Sequence, residues 1–89
     1  MKSKTTADFR KLFASLPESV KQKSRQAYTK FKQDPFHPSL RFKQVHPNLP
    51  IYSVRISKYY RAVGVRKDKE IVWFWIGSHA DYDKLLSQL

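Results

Sequence analysis

Residues 51–76 read IYSVRISKYYRAVGVRKDKEIVWFWI. Three runs within this stretch, 51–57, 60–66 and 70–76, are rich in β-branched and aromatic residues. They are separated only by Lys58-Tyr59 and by Lys67 to Lys69. Connections that short turn the chain straight back on itself, so the runs predict three antiparallel neighbours in one sheet. The third run is apolar on both parities, with Val72, Phe74 and Ile76 on one and Ile71, Trp73 and Trp75 on the other. A strand of that kind is internal and covered on both faces, and its two tryptophans read as core rather than as a base-stacking surface.

Upstream, residues 35–50 are loop-like around one further short strand, Leu40 to Val45 (LRFKQV), in which Leu40 and Phe42 alternate with Arg41 and Lys43. Before it come two helices. Phe9, Leu12, Phe13 and Leu16 recur at i, i+3, i+4 and i+7, with Thr5 and Asp8 at capping spacing. Ser15 and Glu18 have the same spacing ahead of a second helix, Pro17 is tolerated in its first turn, and Val20, Ala27, Tyr28 and Phe31 share one face. Asp34-Pro35 stops that helix. Downstream of the sheet, Tyr82, Leu85, Leu86 and Leu89 form the stripe of a last helix, and Ser78 with Asp81 supplies its cap. The expected fold is α+β: an N-terminal helical hairpin packed on a small, mainly antiparallel four-stranded sheet with a C-terminal helix, in one domain over residues 1–89.

Charge narrows the function. Eighteen Lys and Arg face seven acids, a net charge of +11 on 89 residues. A surface that basic attracts polyanions: nucleic acid, a ribosome or an acidic protein. The chain has no cysteine, which excludes disulfides, thiolate metal sites and a thiol nucleophile and suits a reducing cytoplasm. No apolar run reaches signal-peptide or bilayer-spanning length, so a cytoplasmic protein without membrane contact is expected. Of three histidines, His37 and His46 precede prolines and read as turn residues. With His79 they show no ligand spacing, and neither metal nor cofactor is expected. His79 alone is a candidate acid or base.

The order of elements, DPFHPSLRFKQV leading into the first of the four strands, YSVRISKYYRAVG across a hairpin and IVWFWIGSHADYDKLL at the end together resemble the RelE/ParE family of small bacterial toxins over nearly the whole chain. The resemblance implies a toxin of a type II toxin–antitoxin pair, held inactive by a small acidic antitoxin. It implies either a ribosome-dependent mRNA endonuclease, as in RelE, YoeB and YafQ, or a ParE-like inhibitor of DNA gyrase without catalytic residues. A basic module of the same fold without toxicity is a third possibility.

The nuclease reading assigns roles residue by residue. Arg61, in YYRAVG, matches the family's strand arginine and would grip the scissile phosphate; the plain alternative is a surface arginine paired with Glu70. Arg55, in SVRIS, matches a frequent family arginine and would share that load. Lys43, Lys58 and Arg66 would add general electrostatic attraction to substrate. His79 aligns with the histidine of the G-[ST]-H motif of YafQ-like nucleases and would act as acid or base. Tyr82 would orient the base or the nucleophile, or else only bury its ring in the stripe; both readings stay open. Asp81 reads as a cap. The RelE pattern spreads several Arg and Lys around the scissile phosphate and the YoeB pattern adds a glutamate; here the one strand acid in reach, Glu70, lies at a turn and does not take that glutamate's role.

Overall fold

Backbone alternation builds the antiparallel core in the expected place. In the computed structural model, which describes all 89 residues, the elements run β1 (Lys2–Thr5), α1 (Ala7–Ala14), α2 (Glu18–Gln33), β2 (Lys43–Gln44), β3 (Ile51–Ser57), β4 (Tyr60–Lys67), β5 (Glu70–Ser78) and α3 (His79–Gln88). The architecture is α+β, with five strands in the order β1-β5-β4-β3-β2. Residues β2 to β5 pair antiparallel, and β1 lies parallel to β5 in the register Lys2↔Glu70 to Thr5↔Trp73.

The sheet therefore has one strand more than the sequence predicts. Lys2–Thr5 (KSKT) is polar throughout and mostly exposed, so it carries no apolar alternation. What holds it is β5: the Trp73 indole N–H donates to Ser3 Oγ at 2.8 Å, Thr6 N–H donates to the Trp73 carbonyl at 3.0 Å, and Lys4 pairs with Glu70 at 3.1 Å. Glu70 stands opposite Lys67, at the other end of the β4–β5 ladder from Arg61, so the two do not pair. At the other edge the expected strand 40–45 shrinks to Lys43 and Gln44. Leu40 closes a 3₁₀ turn, Pro38–Leu40, where it is buried, and Arg41 follows in the left-handed region at φ 48°.

The helix starts shift too. Thr6, not Thr5, caps α1, its hydroxyl accepting from Phe9 N–H at 3.1 Å. No capping box forms before α2: Pro17 stands at the N-cap without a side-chain bond, and Ser15 donates instead to the Leu12 carbonyl at 2.8 Å. Along α2 the buried positions are Val20, Ser24, Ala27 and Phe31, while Tyr28 lies at the margin of that face, 43% exposed, under the Lys32 ammonium.

Each face of the sheet has its own core. Helices α1 and α2 cover a cluster that includes Ala27, Phe31, Leu40, Val54, Ala62, Ile71, Trp73 and Ile76. Here Phe31 meets Phe42 and Trp73 edge-on at 5.1 and 5.4 Å. On the opposite face α3 lays Tyr82, with Leu85 and Leu86, against Ile51, Val63 and Trp75. Gly64 belongs to the first face and is required there, since a Cβ would meet Trp73 Cε3 and the Val72 carbonyl at 2.9 Å. No helix is long and apolar enough to cross a membrane.

Phe31→Ala empties the junction of three rings and is expected to cost about 3–5 kcal/mol. Urea denaturation reads this as a lowered midpoint at unchanged slope.

Candidate functional site

Arg55, Arg61 and Gly77 are direct partners across β3, β4 and β5. Cross-strand partners share a face, and Ser53, two residues before Arg55, places the row on the side covered by α3. Two arginines opposite one another repel, at a cost of about 0.2–1 kcal/mol. The register holds because the adjoining row, Val54, Ala62 and Ile76, is paired and buried on the other face. A one-residue slip would bring the cations inside and turn that apolar row out.

Arg61 folds back over the β3–β4 turn. One η nitrogen donates to the carbonyls of Ser57 at 2.6 Å and Tyr60 at 2.9 Å, and lies 3.5 Å from that of Lys58. Its Nε and second η nitrogen have no protein acceptor. Partial burial, and then the like charge of Arg55, hold the guanidinium below the ordinary arginine range; Arg41 acts in the same direction, Tyr82 and Asp83 in the other. Arginine stays charged at neutral pH regardless, so the strain is electrostatic and an anion would relieve it. None of the three ion pairs of the molecule involves Arg41, Lys43, Arg55 or Arg61.

His79 stands next to this row because Ser78 ends β5 opposite Tyr60 and caps α3, its hydroxyl accepting from Asp81 N–H at 3.2 Å. The His79 backbone N–H donates to the Tyr59 carbonyl at 2.7 Å, which ties the start of α3 to the turn that Arg61 clips. Its Nδ1 lies 3.2 Å from Asp83 Oδ2, four residues along the helix. A carboxylate at Nδ1 makes that nitrogen the donor and leaves Nε2 as the acceptor of the neutral ring.

Tyr82 supports this arrangement from below. It is buried, its ring is edge-on to His79 at 5.7 Å, and its hydroxyl donates to Ser53 Oγ at 3.1 Å. Trp75 lies beside it at 6.4 Å. Gly77 makes room for that indole: a Cβ there would sit 2.7 Å from Trp75 Cζ2. The Gly-Ser-His sequence thus has three local reasons: close approach of a ring, a helix cap and an exposed imidazole.

The remaining candidates divide. Lys43 pairs with Ser53 and so shares the α3 face, one row from Arg55. Lys58 lies in the β3–β4 turn with its ammonium over the Tyr59 ring at 5.5 Å, at the same end of the sheet as Arg61. Arg66 is not brought to the site. It is near the far end of β4 on the opposite face, over the rings of Tyr52, Phe36 and Phe42 at 5.3, 5.8 and 6.0 Å. Three residues join the group without having been singled out from sequence. Asp83 is one helical turn from His79, Arg41 is close enough to act on Arg61, and Tyr59, 64% exposed, holds the His79 N–H with its carbonyl. Asp83 was available from its i, i+4 spacing; Arg41, in a left-handed turn ahead of β2, carries no such signal.

His37 and His46 are turn residues. Nδ1 of His37 accepts from Ser39 N–H at 3.2 Å, and Nδ1 of His46 accepts from the N–H groups of Asn48 and Leu49 at 3.1 and 2.9 Å.

The profile of the ParE-like toxin domain matches residues 18–84, from the start of α2 into α3. The chain belongs to that family. It is a RelE/ParE-family toxin of a toxin–antitoxin system. No curated protein sequence matches it. Solved structures share its fold at low identity. A chain of the RelB–RelE antitoxin–toxin complex from Methanococcus jannaschii superposes with a TM-score of 0.74 at 11% identity, covering 92% of this toxin and 96% of that chain. YafQ from E. coli strain BL21(DE3) gives 0.72 at 12% identity, with coverage of 91% and 96%. The isolated E. coli RelE toxin gives 0.63 at 14%, with coverage of 99% and 98%.

In this toxin the family stretch ends within α3, so the Gly77-to-Asp83 segment lies inside it. Because Tyr82 spends its hydroxyl on Ser53 in the interior, Ser53→Ala leaves a buried donor unpaired. The expected loss is about 1–3 kcal/mol of stability, measured by urea denaturation.

Proposed function

We propose that this toxin is a metal-independent, ribosome-dependent mRNA endonuclease that inhibits translation. The observation that carries the reading is the juxtaposition of the Arg55–Arg61 pair with an exposed imidazole whose Nδ1 is held by Asp83. Two unpaired cations and one oriented, titratable nitrogen are what metal-free RNA cleavage asks of a protein.

In the proposed reaction the ribose 2′-oxygen attacks the adjacent phosphorus in line with the 5′-oxygen. The 2′-O–P bond forms, the P–O5′ bond breaks, and the products are a 2′,3′-cyclic phosphate and a 5′-hydroxyl. Arg61, through its free Nε and second η nitrogen, and Arg55 neutralise the charge that accumulates on the equatorial oxygens. His79 Nε2 takes the proton of the 2′-hydroxyl or supplies one to the leaving 5′-oxygen, with Asp83 stabilising the imidazolium. Tyr82 seats His79 through its ring, and Tyr59, exposed at the rim, offers a surface for an unstacked base. Lys43 and Lys58 draw the strand in. Arg66, on the other face, is given no part in this step.

The partner is a small acidic antitoxin. The net charge of +11 suits one, and the RelE relatives from Methanococcus jannaschii and Pyrococcus horikoshii OT3 are in complexes with RelB. A second reading, a ParE-like inhibitor of DNA gyrase, has the family profile in its favour. It needs neither the His79–Asp83 pair nor its placement beside two arginines.

Induced expression followed by mapping of mRNA 5′ ends separates the two. Wild-type toxin is expected to generate new 5′-hydroxyl ends on ribosome-bound messages. His79→Ala with Arg61→Ala is expected to lose growth inhibition and cleavage while still binding the antitoxin, His79→Ala alone lowering cleavage roughly 10²–10⁴-fold. Full toxicity in the double variant, or cleaved gyrase–DNA complexes without cut mRNA, contradicts the nuclease. Tyr82→Phe, which keeps the ring under His79, is expected to retain far more cleavage than Tyr82→Ala.

A further inference from the structure

Strand β2 covers only Tyr52 and Ser53, so the edge of β3 beyond Ser53 has no neighbouring strand. Val45 N–H donates to the Ile51 carbonyl at 2.8 Å, which shows that odd-numbered residues of β3 turn their backbone groups to this edge. Arg55 is the next such residue past the end of β2. Its backbone groups open into a cleft of about 340 Å³ between β3, α2 and the Pro38–Leu40 turn.

The cleft is lined by Lys23, Lys30, Arg55 and Lys58, with Ser39 and Ser57, and by no acid. Lys23 and Lys30 are seven residues apart on α2, so both point along one stripe of the helix. Lys30 Nζ lies 3.5 Å from Ser39 Oγ, and none of the four cations takes part in an ion pair of the molecule. Three lysines around one polar cleft, which Arg55 borders with its backbone while its guanidinium lies on the α3 face, repel one another and gain nothing in the isolated fold, an arrangement that an anion would relieve.

We propose that this cleft is a second phosphate seat for single-stranded nucleic acid, joined to the Arg55–Arg61 row through Arg55. It rests on the reading that the row takes a nucleic-acid strand. The strand that presents one phosphate to Arg55 and Arg61 on the α3 face continues around the open edge of β3, and its neighbouring phosphodiesters meet Lys23, Lys30 and Lys58. A phosphodiester backbone is satisfied by ammonium, guanidinium and hydroxyl donors alone. An acidic peptide would also seek apolar pockets for its side chains, and the walls here offer only Ala27, Leu40 and Ile56 among polar residues.

The test is the salt dependence of binding, which does not require cleavage. A short fluorescein-labelled 2′-O-methyl RNA, with no free 2′-hydroxyl to attack, is titrated with the full chain at rising KCl and followed by anisotropy. Lys23→Ala with Lys30→Ala is expected to flatten the plot of log Kd against log salt by about 1.4, two phosphates at about 0.7 each. Both lysines are exposed, and an unchanged circular dichroism spectrum verifies the fold. Lys67→Ala with Lys69→Ala removes the same charge at the far end of the sheet and is expected to leave the slope unchanged.

Equal flattening by both pairs overturns the proposal, because only the general field is then at work. So does a slope unmoved by the cleft pair. In that second case Arg55→Ala with Arg61→Ala distinguishes the failures: loss of binding there spares the nucleic-acid reading of the row and sinks only the cleft, whereas unchanged binding sinks both. A cleft pair that binds RNA normally but fails to bind polyglutamate assigns the cleft to an acidic protein and also overturns the proposal.

Discussion

The register of β3, β4 and β5 is the constraint on which the rest of the site depends. Apolar residues on both faces fix it: Val54, Ala62 and Ile76 under α1 and α2, Ile51, Val63 and Trp75 under α3. Once it is fixed, Arg55 must stand opposite Arg61, although like charges so placed disfavour the pairing. Each buried apolar side chain contributes about 1.5–3 kcal/mol, more than the repulsion between two partly solvated arginines removes. The sheet can therefore hold a local electrostatic conflict that an anion resolves. The same register brings Tyr60 opposite Ser78 and so delivers His79 to the rim.

The second consequence is a rigid mount for a solvent-facing imidazole. His79 is held at its backbone by the Tyr59 carbonyl, at Nδ1 by Asp83 and at its ring by Tyr82, whose hydroxyl is anchored on Ser53 in the sheet. An exposed contact such as His79–Asp83 adds little to stability. Its effect is on orientation, because it selects which nitrogen faces away from the helix. Buried Tyr82 transmits the position of the sheet to the helix, so packing and chemistry meet in one side chain.

Much of this was legible in the sequence. The three long strands were, because their alternation and short turns favour one arrangement, and so was the cap that the Ser78 hydroxyl provides, although the Asp81 carboxylate takes no part in it. Strand β1 was not: KSKT is polar, and it is a strand only because the edge of β5 offers partners to its backbone. Strand β2 was overread because Leu40 and Phe42 alternate like strand residues, whereas Pro38 draws Leu40 into a 3₁₀ turn and the chain reverses hand at Arg41. Within the site, Arg55, Arg61 and His79 came from motif and parity. Arg66 showed the limit of reasoning from charge alone, since which face an arginine occupies depends on its position along the strand, and the aromatic rings around it appear only in three dimensions.

The central claim is that Arg55 and Arg61 form one anion seat beside His79. Nitrogen-15 NMR of the arginine side chains, during titration with a non-cleavable 2′-deoxy trinucleotide, tests it directly. The Nε–H signals of Arg55 and Arg61 are expected to move together along one saturating curve with the His79 imidazole signals, and to stop moving when Arg55 is replaced by Gln. Signals that stay still, or that move no more than that of Arg10 on the distant helix α1, would contradict it.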